Sequence, residues 1–385
     1  MRYYLIAGEA SGDMYGANLI NAISVRDDEA DFKACGGDKM YAAGAELLHH
    51  YQDMAFMGFK EVIANLWKIK GYLDNVKADL LRYDPDVVVL IDYPGFNLRI
   101  AEYAKRKGYR VVYYISPQVW AWKASRVKKI KKVVDEMIVI LPFEPDFYAK
   151  YDFPVHYAGH PLMDVVESIR KDPNFHRENF PDDKPIVALL PGSRRQEISK
   201  MLPVMLKVTE NFPDYRFAVA AAPSIEEAFY QEFIGGYPRV TLIRNDTYQL
   251  FMHSEAGIVT SGTATLEAAL FEMPQVVGYK GSKFSMWLGR MLVNVSYISL
   301  VNLILNRKTL EELIQKDFTV ENLERHLDQL VHSHYYRQAQ MEAYQKLKNI
   351  LGGPGASKKA ASIIYHTALE ARDDREYDSE GEPLL

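Results

Sequence analysis

Ten short runs of β-branched and aromatic residues, spaced by longer segments with helical periodicity, limit this chain to few architectures. They are YYLIAG, DFKACG, DVVVLID, RVVYYIS and EMIVIL in the first half, then PIVALLPG, YRFAVAAA, RVTLI, AGIVTSG and PQVVGY. Apolar strands alternating with helices make parallel sheets buried on both faces, because each parallel crossover lays a helix over the sheet. Each half therefore reads as an α/β unit. A length of 385 residues agrees, since it exceeds what one hydrophobic core serves. We expect a first doubly wound domain over 1–165 and a second over 166–350. A C-terminal helix over 351–371, able to pack back on the first domain, and an acidic disordered tail over 372–385 complete the chain. The connection between domains is placed in the proline- and charge-rich stretch HYAGHPLMDVVESIRKDPNFHRENFPDDKP.

Net charge is −5, but the segment RDDREYDSEGEPLL, with six acids and two basic residues, carries −4 of it, leaving the body near neutral. That balance argues against a nucleic-acid partner. The single Cys35 excludes an internal disulfide and reads as a small buried apolar group in a reducing compartment. No unbroken apolar run reaches about 18 residues and the start does not read as a signal peptide, so a soluble, cytoplasmic protein is expected.

In doubly wound folds ligands bind beyond the carboxyl ends of the strands, so motifs are weighed by the strand end they occupy. Two such domains would turn both sets of strand ends to one cleft. The first strand leads into GEASGD, with a helix expected near Met14 and Ser11 or Asp13 as its N-cap; Glu9 is left without a structural task. VVVLIDYPGFN brings Asp92 and Asn97 to the end of another apolar strand. Asp92 reads equally as a cap for a helix starting near Gly95 and as a desolvated base. Asp84-Pro85-Asp86, an acid-x-acid pattern, precedes that strand and reads as a turn. ISPQVWAWKASRVKKIKK places Ser116, Gln118, Trp120 and Trp122 in a loop suited to a sugar face or a lipid chain, before six basic residues within Lys123 to Lys132.

In the second half, ALLPGSRRQEI suggests Ser193 as an N-cap beside Arg194, a diphosphate site that needs no metal. IVTSGTATLEAAL offers Ser261, Gly262 and Thr263 to a phosphate, with Glu267 placed for two ribose hydroxyls or for a capping box. His156 and His160 have metal-like spacing, but Gly159 and Pro161 break any shared helical face, so no metal site is expected.

The stretches GEASGD, IDYPGFN, SPQVWAW, LPFE, GHPLMD, LLPGSR, SGTATLE and VSYISLVNLIL, in that order from Gly8 to about Leu305, resemble the lipid-A-disaccharide synthase family. The resemblance implies a GT-B architecture, two Rossmann-like domains facing one cleft. It implies an inverting, metal-independent transferase that moves 2,3-diacylglucosamine from UDP to 2,3-diacylglucosamine 1-phosphate (lipid X), giving a β-1,6-linked disaccharide and UDP. No cofactor is implied. Carried over by motif, Asp92 resembles the family's essential acid, and Arg194, Glu267 and Asn302 its nucleotide-site residues. Many members carry a second acid where this chain has Gly95, which concentrates the base role on Asp92.

On that reading Asp92 takes the proton of the acceptor hydroxyl, and Glu9 meets sugar hydroxyls. Ser11, Asn97, Ser116, Gln118, Trp120 and Trp122 line the acceptor side. Arg194, Ser193 and Ser261 to Thr263 stabilise departing UDP. Diacylated substrates call for contact with the inner membrane of a Gram-negative cell, for which MAFMGFKEVIANLWKIKGYL offers Phe56, Met57 and Trp67. Two other classes stay open: a UDP-sugar epimerase of the same architecture, and a nucleotide-sugar binding protein without catalysis.

Overall fold

The computed structural model describes residues 1–54, 66–121, 124–281 and 296–380. Two compact units emerge, Met1–Asp164 with Pro354–Leu385, and Val165–Gly353. The chain thus leaves the first unit at Asp164 and re-enters it at Pro354.

The first unit holds strands β1 (Arg2–Ala7), β2 (Asp31–Gly36), β3 (Glu46–His50), β4 (Val87–Ile91), β5 (Arg110–Tyr114), β6 (Glu136–Val139) and β7 (His156–Tyr157). They pair in parallel in the order β3-β2-β1-β4-β5-β6-β7. Every residue of β4, Val-Val-Val-Leu-Ile, is buried, as expected of a central strand covered on both faces. The second unit holds β8 (Ile186–Leu190), β9 (Arg216–Ala221), β10 (Val240–Arg244), β11 (Ser254–Thr260), β12 (Gln275–Tyr279) and β13 (Glu312–Ile314), in the order β10-β9-β8-β11-β12-β13. All ten expected strands are present. The three unforeseen ones, β3, β7 and β13, lie at or beyond the sheet margins and are short and rich in His and Glu, so neither apolar run nor alternation marks them.

The helices that matter for function are α1 (Ala10–Ser24), α2 (Asp38–Ala42), α3 (Leu66–Tyr83), α4 (Pro94–Arg106), α5 (Glu144–Ala149), α6 (Arg195–Val208), α7 (Thr247–His253), α8 (Thr263–Leu270), α9 (Leu300–Leu305), α10 (His334–Leu351) and α11 (Ala356–Glu380). Asp164 fixes the return of the chain. Its carboxylate accepts from the backbone N–H groups of Gly355 and, at 2.9 Å, Ser357, capping α11 from a distance in sequence. α11 then packs on α1, β4 and β5.

Of the acidic segment expected to be disordered, residues 372–380 continue α11, and 381–385 lie outside the described residues. Arg375 donates to the Pro85 carbonyl at 2.6 Å, lies 3.6 Å from both Asp84 and Asp86, and sits over the Tyr109 ring; Asp374 meets Arg110 at 2.6 Å. These contacts offset the unfavourable placement of acids at a helix C-terminus. They also assign the acid-x-acid stretch: the Asp86 carboxylate accepts from Arg2 N–H at 2.8 Å, at the opposite end of β4 from Asp92. Cys35 is buried and its thiol is pushed up to about 12, which leaves it chemically inert.

Candidate active site

In the first unit the strand order reverses between β1 and β4. Such a switch point opens a crevice at the carboxyl ends of its two strands. Ala7 pairs with Ile91, so the residues leaving the two strands, Gly8-Glu9 and Asp92-Tyr93, emerge side by side.

The turn after β1 is tighter than its sequence suggested. α1 begins at Ala10 rather than near Met14, with Glu9 as its N-cap residue and no side-chain cap. Small residues favour this: a Cβ on Gly12 would lie 3.1 Å from that of Ala7, a contact tight enough to push α1 off the strand by a few tenths of an ångström. Asp13 is not the cap of its own helix. Its buried carboxylate accepts from Gly37, Lys39 and Met40 N–H at 2.7, 3.2 and 3.0 Å, and so caps α2 instead. Ser11 lies partly exposed on the first turn of α1.

Asp92 and Tyr93 both take left-handed backbone angles, φ +45° and +48°. That conformation costs energy in non-glycine residues and persists only where neighbours enforce it. Three groups do so. The Asp92 carbonyl accepts from Tyr113 Oη at 2.6 Å and Asn97 Nδ2 at 2.8 Å, and Tyr93 Oη donates to the Met54 carbonyl at 2.6 Å. Tyr93 in turn occupies the space above Gly8, where a Cβ would fall 2.3 Å from its ring. The helix α4 is preceded by Tyr93 and has no side-chain cap, so the cap reading of Asp92 gives way. Part of the Asp92 residue is open to solvent, yet its carboxyl is enclosed by protein. Burial first, then the negative charge of Glu9, push it up to about 7, against a smaller lowering by the Tyr93 N–H.

Asn97, expected on the acceptor side, braces the fold through its amide NH2, while its amide oxygen is buried with no hydrogen-bond partner. It is wholly buried, and its amide also donates to the carbonyls of Ile6 and Ile91, at 3.3 and 3.2 Å, beyond the one at Asp92. Asn97 therefore stitches β1 to β4 where their carboxyl ends meet.

Farther along the same edge, β5 and β6 end in a buried polar cluster. Ser116 Oγ lies 2.5 Å from Tyr148 Oη, and Glu144, 1% exposed, accepts from Ile140 and Leu141 N–H at 3.1 and 2.8 Å. Burial pushes the Glu144 carboxyl up to about 7, the backbone donors working against it. Sequence reading assigned Glu144 no role, although its position after the strand EMIV repeats the logic that singled out Asp92. Ser116 is buried, Gln118 is exposed and Trp120 is partly buried. Trp122, Phe56 and Met57 lie outside the described residues. Trp67 does not: it is 84% exposed on α3, with the Lys70 ammonium 5.7 Å from its ring.

His156 pairs with Glu136 at 2.6 Å. His160 is buried, accepts at Nδ1 from Leu162 N–H, and is pushed down to about 3, so it is neutral.

In the second unit the order reverses between β8 and β11, and the predicted phosphate turns follow these two strands. The N-cap position of α6 is held by Arg194, not Ser193. Glu197 reaches back instead, accepting from Ser193 N–H at 3.3 Å and from the Arg194 guanidinium at 3.1 Å. A Cβ on Gly192, whose φ is +109°, would strike the Glu197 carboxylate at 2.7 Å. Arg194 and Ser193 are thus exposed and oriented by Glu197. After β11, Gly262 (φ +156°) precedes α8, and Gly262 and Thr263 are exposed. Ser261 Oγ donates to the Ile298 carbonyl at 2.8 Å. Glu267 accepts from Tyr248 Oη at 3.2 Å, so α7 helps to aim its carboxylate.

Asn302, expected at the nucleotide, is tied into the chain much as Asn97 is. It is wholly buried, its amide donates to the Leu310 carbonyl and to Glu312 at 3.0 and 2.8 Å, and its oxygen accepts from Thr309 and Leu310 N–H, both at 2.8 Å. Glu312 also accepts from Ile298 and Ser299 N–H at 3.0 Å. The two residues hold the 298–299 segment against Ser261.

Comparison with known proteins gives a family and a fold. A family model described as lipid-A-disaccharide synthetase matches residues 3–365. A lipid-A-disaccharide synthase of Syntrophus aciditrophicus is 40% identical over 376 residues, covering 96% of this chain and 98% of its own. Among solved structures, a UDP-GlcNAc 2-epimerase from Neisseria meningitidis bound to UDP-GlcNAc aligns with TM-score 0.67 at 15% identity, over 96% of this chain and 100% of its own. A kitacinnamycin glycotransferase aligns with TM-score 0.64 at 11% identity, over 95% and 99%. These structural likenesses speak to the fold alone, which is GT-B.

Proposed function

The chain belongs to the lipid-A-disaccharide synthetase family, and from that premise we propose that it transfers 2,3-diacylglucosamine from UDP to lipid X with inversion. The observation that carries the reading is the Asp92 carboxyl, buried at a strand switch point and held up at about 7. A base works best with a pKa near the operating pH. Asp92 takes the proton of the acceptor 6-hydroxyl as its oxygen bonds to the anomeric carbon. The bond from that carbon to the diphosphate breaks, and UDP leaves with the electron pair. Glu9 binds sugar hydroxyls beside Asp92 while keeping its carboxyl basic.

The second unit binds UDP. Arg194 and the N–H groups after β8 and β11 offset the charge growing on the diphosphate, and Glu267 accepts from the ribose. The diacyl chains are drawn from the inner membrane, which the exposed Leu66 and Trp67 beside Lys68 and Lys70 suit as an interfacial contact. No helix among the described residues is long and apolar enough to cross a membrane.

The direct test is to supply UDP-2,3-diacylglucosamine in detergent with and without lipid X. The reading predicts UDP and disaccharide only when lipid X is present. An epimerase would convert the donor without any acceptor, and that result would overturn the reading.

A further inference from the structure

Ile115, the first residue beyond β5, has φ +64°. A β-branched side chain in the left-handed region is a true outlier, and strain of this kind gathers where a loop must be held in one functional shape. The loop it opens, Ser116 to Ala121, carries the exposed Gln118 and the half-buried Trp120. Below the loop stands α5. Glu144 and Tyr148 lie four residues apart on it and therefore share one face. From that face Tyr148 meets Ser116 at 2.5 Å, and Glu144 accepts from the two N–H groups that follow β6, of Ile140 and Leu141. Ser116 Oγ also donates to the Pro117 carbonyl at 3.0 Å, which fixes the turn. Trp120 packs edge-on against Phe143, the residue preceding Glu144, at 4.9 Å. Its buried Nε1–H is near enough to favour the charged form of Glu144, yet reaches no acceptor in hydrogen-bonding geometry.

A buried carboxyl is expensive, and packing alone would be served by an apolar residue. We propose that Glu144 is a positioning residue for the acceptor: with Tyr148 it clamps the loop Ser116–Ala121, whose Gln118 and Trp120 then contact the acylated sugar phosphate. The clamp rests on the transferase reading for the identity of that ligand. It acts on the acceptor and leaves nucleotide binding alone, because every residue in it belongs to the first unit.

Glu144→Gln keeps the volume but sets an amide NH2 against the Trp120 N–H. Binding of lipid X alone, titrated in detergent without donor, should weaken about tenfold, with UDP affinity unchanged within twofold and the melting temperature retained. In turnover the lipid X KM should rise while kcat at saturation changes less than threefold. Ser116→Ala, which removes the partner of Tyr148, should shift lipid X binding in the same direction by a smaller factor, and decides the matter should Glu144→Gln fail to fold. Unchanged lipid X binding in folded variants would overturn the clamp, as would a parallel loss of lipid X and UDP binding, which marks a general prop of the fold. Wild-type turnover reads the function separately: lipid X binding without disaccharide formation contradicts the transferase reading, while the binding contrast still decides for or against the clamp.

Discussion

The carboxyl of Asp92, enclosed by protein just beyond β4, is pushed further up by the negative charge of Glu9 just beyond β1, and reaches about 7. The two carboxylates come from adjacent strands at a switch point, so their coupling follows from topology rather than from any local sequence pattern.

That coupling has a sign. A base acts only when deprotonated, so the rate should climb with pH through the Asp92 titration near 7. Glu9→Gln removes a like charge, lowers the Asp92 pKa, and moves the acidic limb of the kcat/KM profile to lower pH. A limb that stays in place would show that Glu9 does not act on Asp92.

Gly8→Ala tests how the pair is held. The new Cβ would fall 2.3 Å from the Tyr93 ring, whose hydroxyl is anchored at Met54. Forced overpacking of this kind costs about 1–3 kcal/mol. Denaturant unfolding should register that loss, and activity should fall further than stability because Tyr93 directly follows Asp92.

Arg194 and Asn302 should part company. Arg194→Ala removes an exposed side chain, so the melting temperature should hold while UDP binding weakens by at least tenfold. Asn302→Ala strands buried partners at Thr309, Leu310 and Glu312, at a cost of about 2–4 kcal/mol, and calorimetry should show it. UDP affinity of the folded fraction should fall less than with Arg194→Ala, since Asn302 acts on the Ser261 turn only through Glu312 and the 298–299 segment.

These contrasts show what the sequence could carry. Apolar runs such as VVVLI revealed the central strands, because burial on both faces leaves a continuous signature. The positions of Asp92 and Glu9 just beyond strand ends, and of Arg194 and Glu267 in the turn and helix that follow β8 and β11, were legible for the same reason. The tasks of Asn97, Asn302 and Asp13 were not. Each bonds backbone groups brought near only by the fold, so a buried brace and an exposed ligand contact look alike in sequence. The tail misled in another way: its composition reads as disordered, but Arg375 finds Pro85, Asp84 and Asp86 some 290 residues earlier.

The central claim is that Asp92 is the base. The most direct measurement compares wild type with Asp92→Asn at saturating UDP-2,3-diacylglucosamine and lipid X, following disaccharide and UDP together. The account predicts a fall of about 10²–10⁴-fold in kcat, with UDP affinity and folding retained. Turnover by Asp92→Asn within a fewfold of wild type would contradict it.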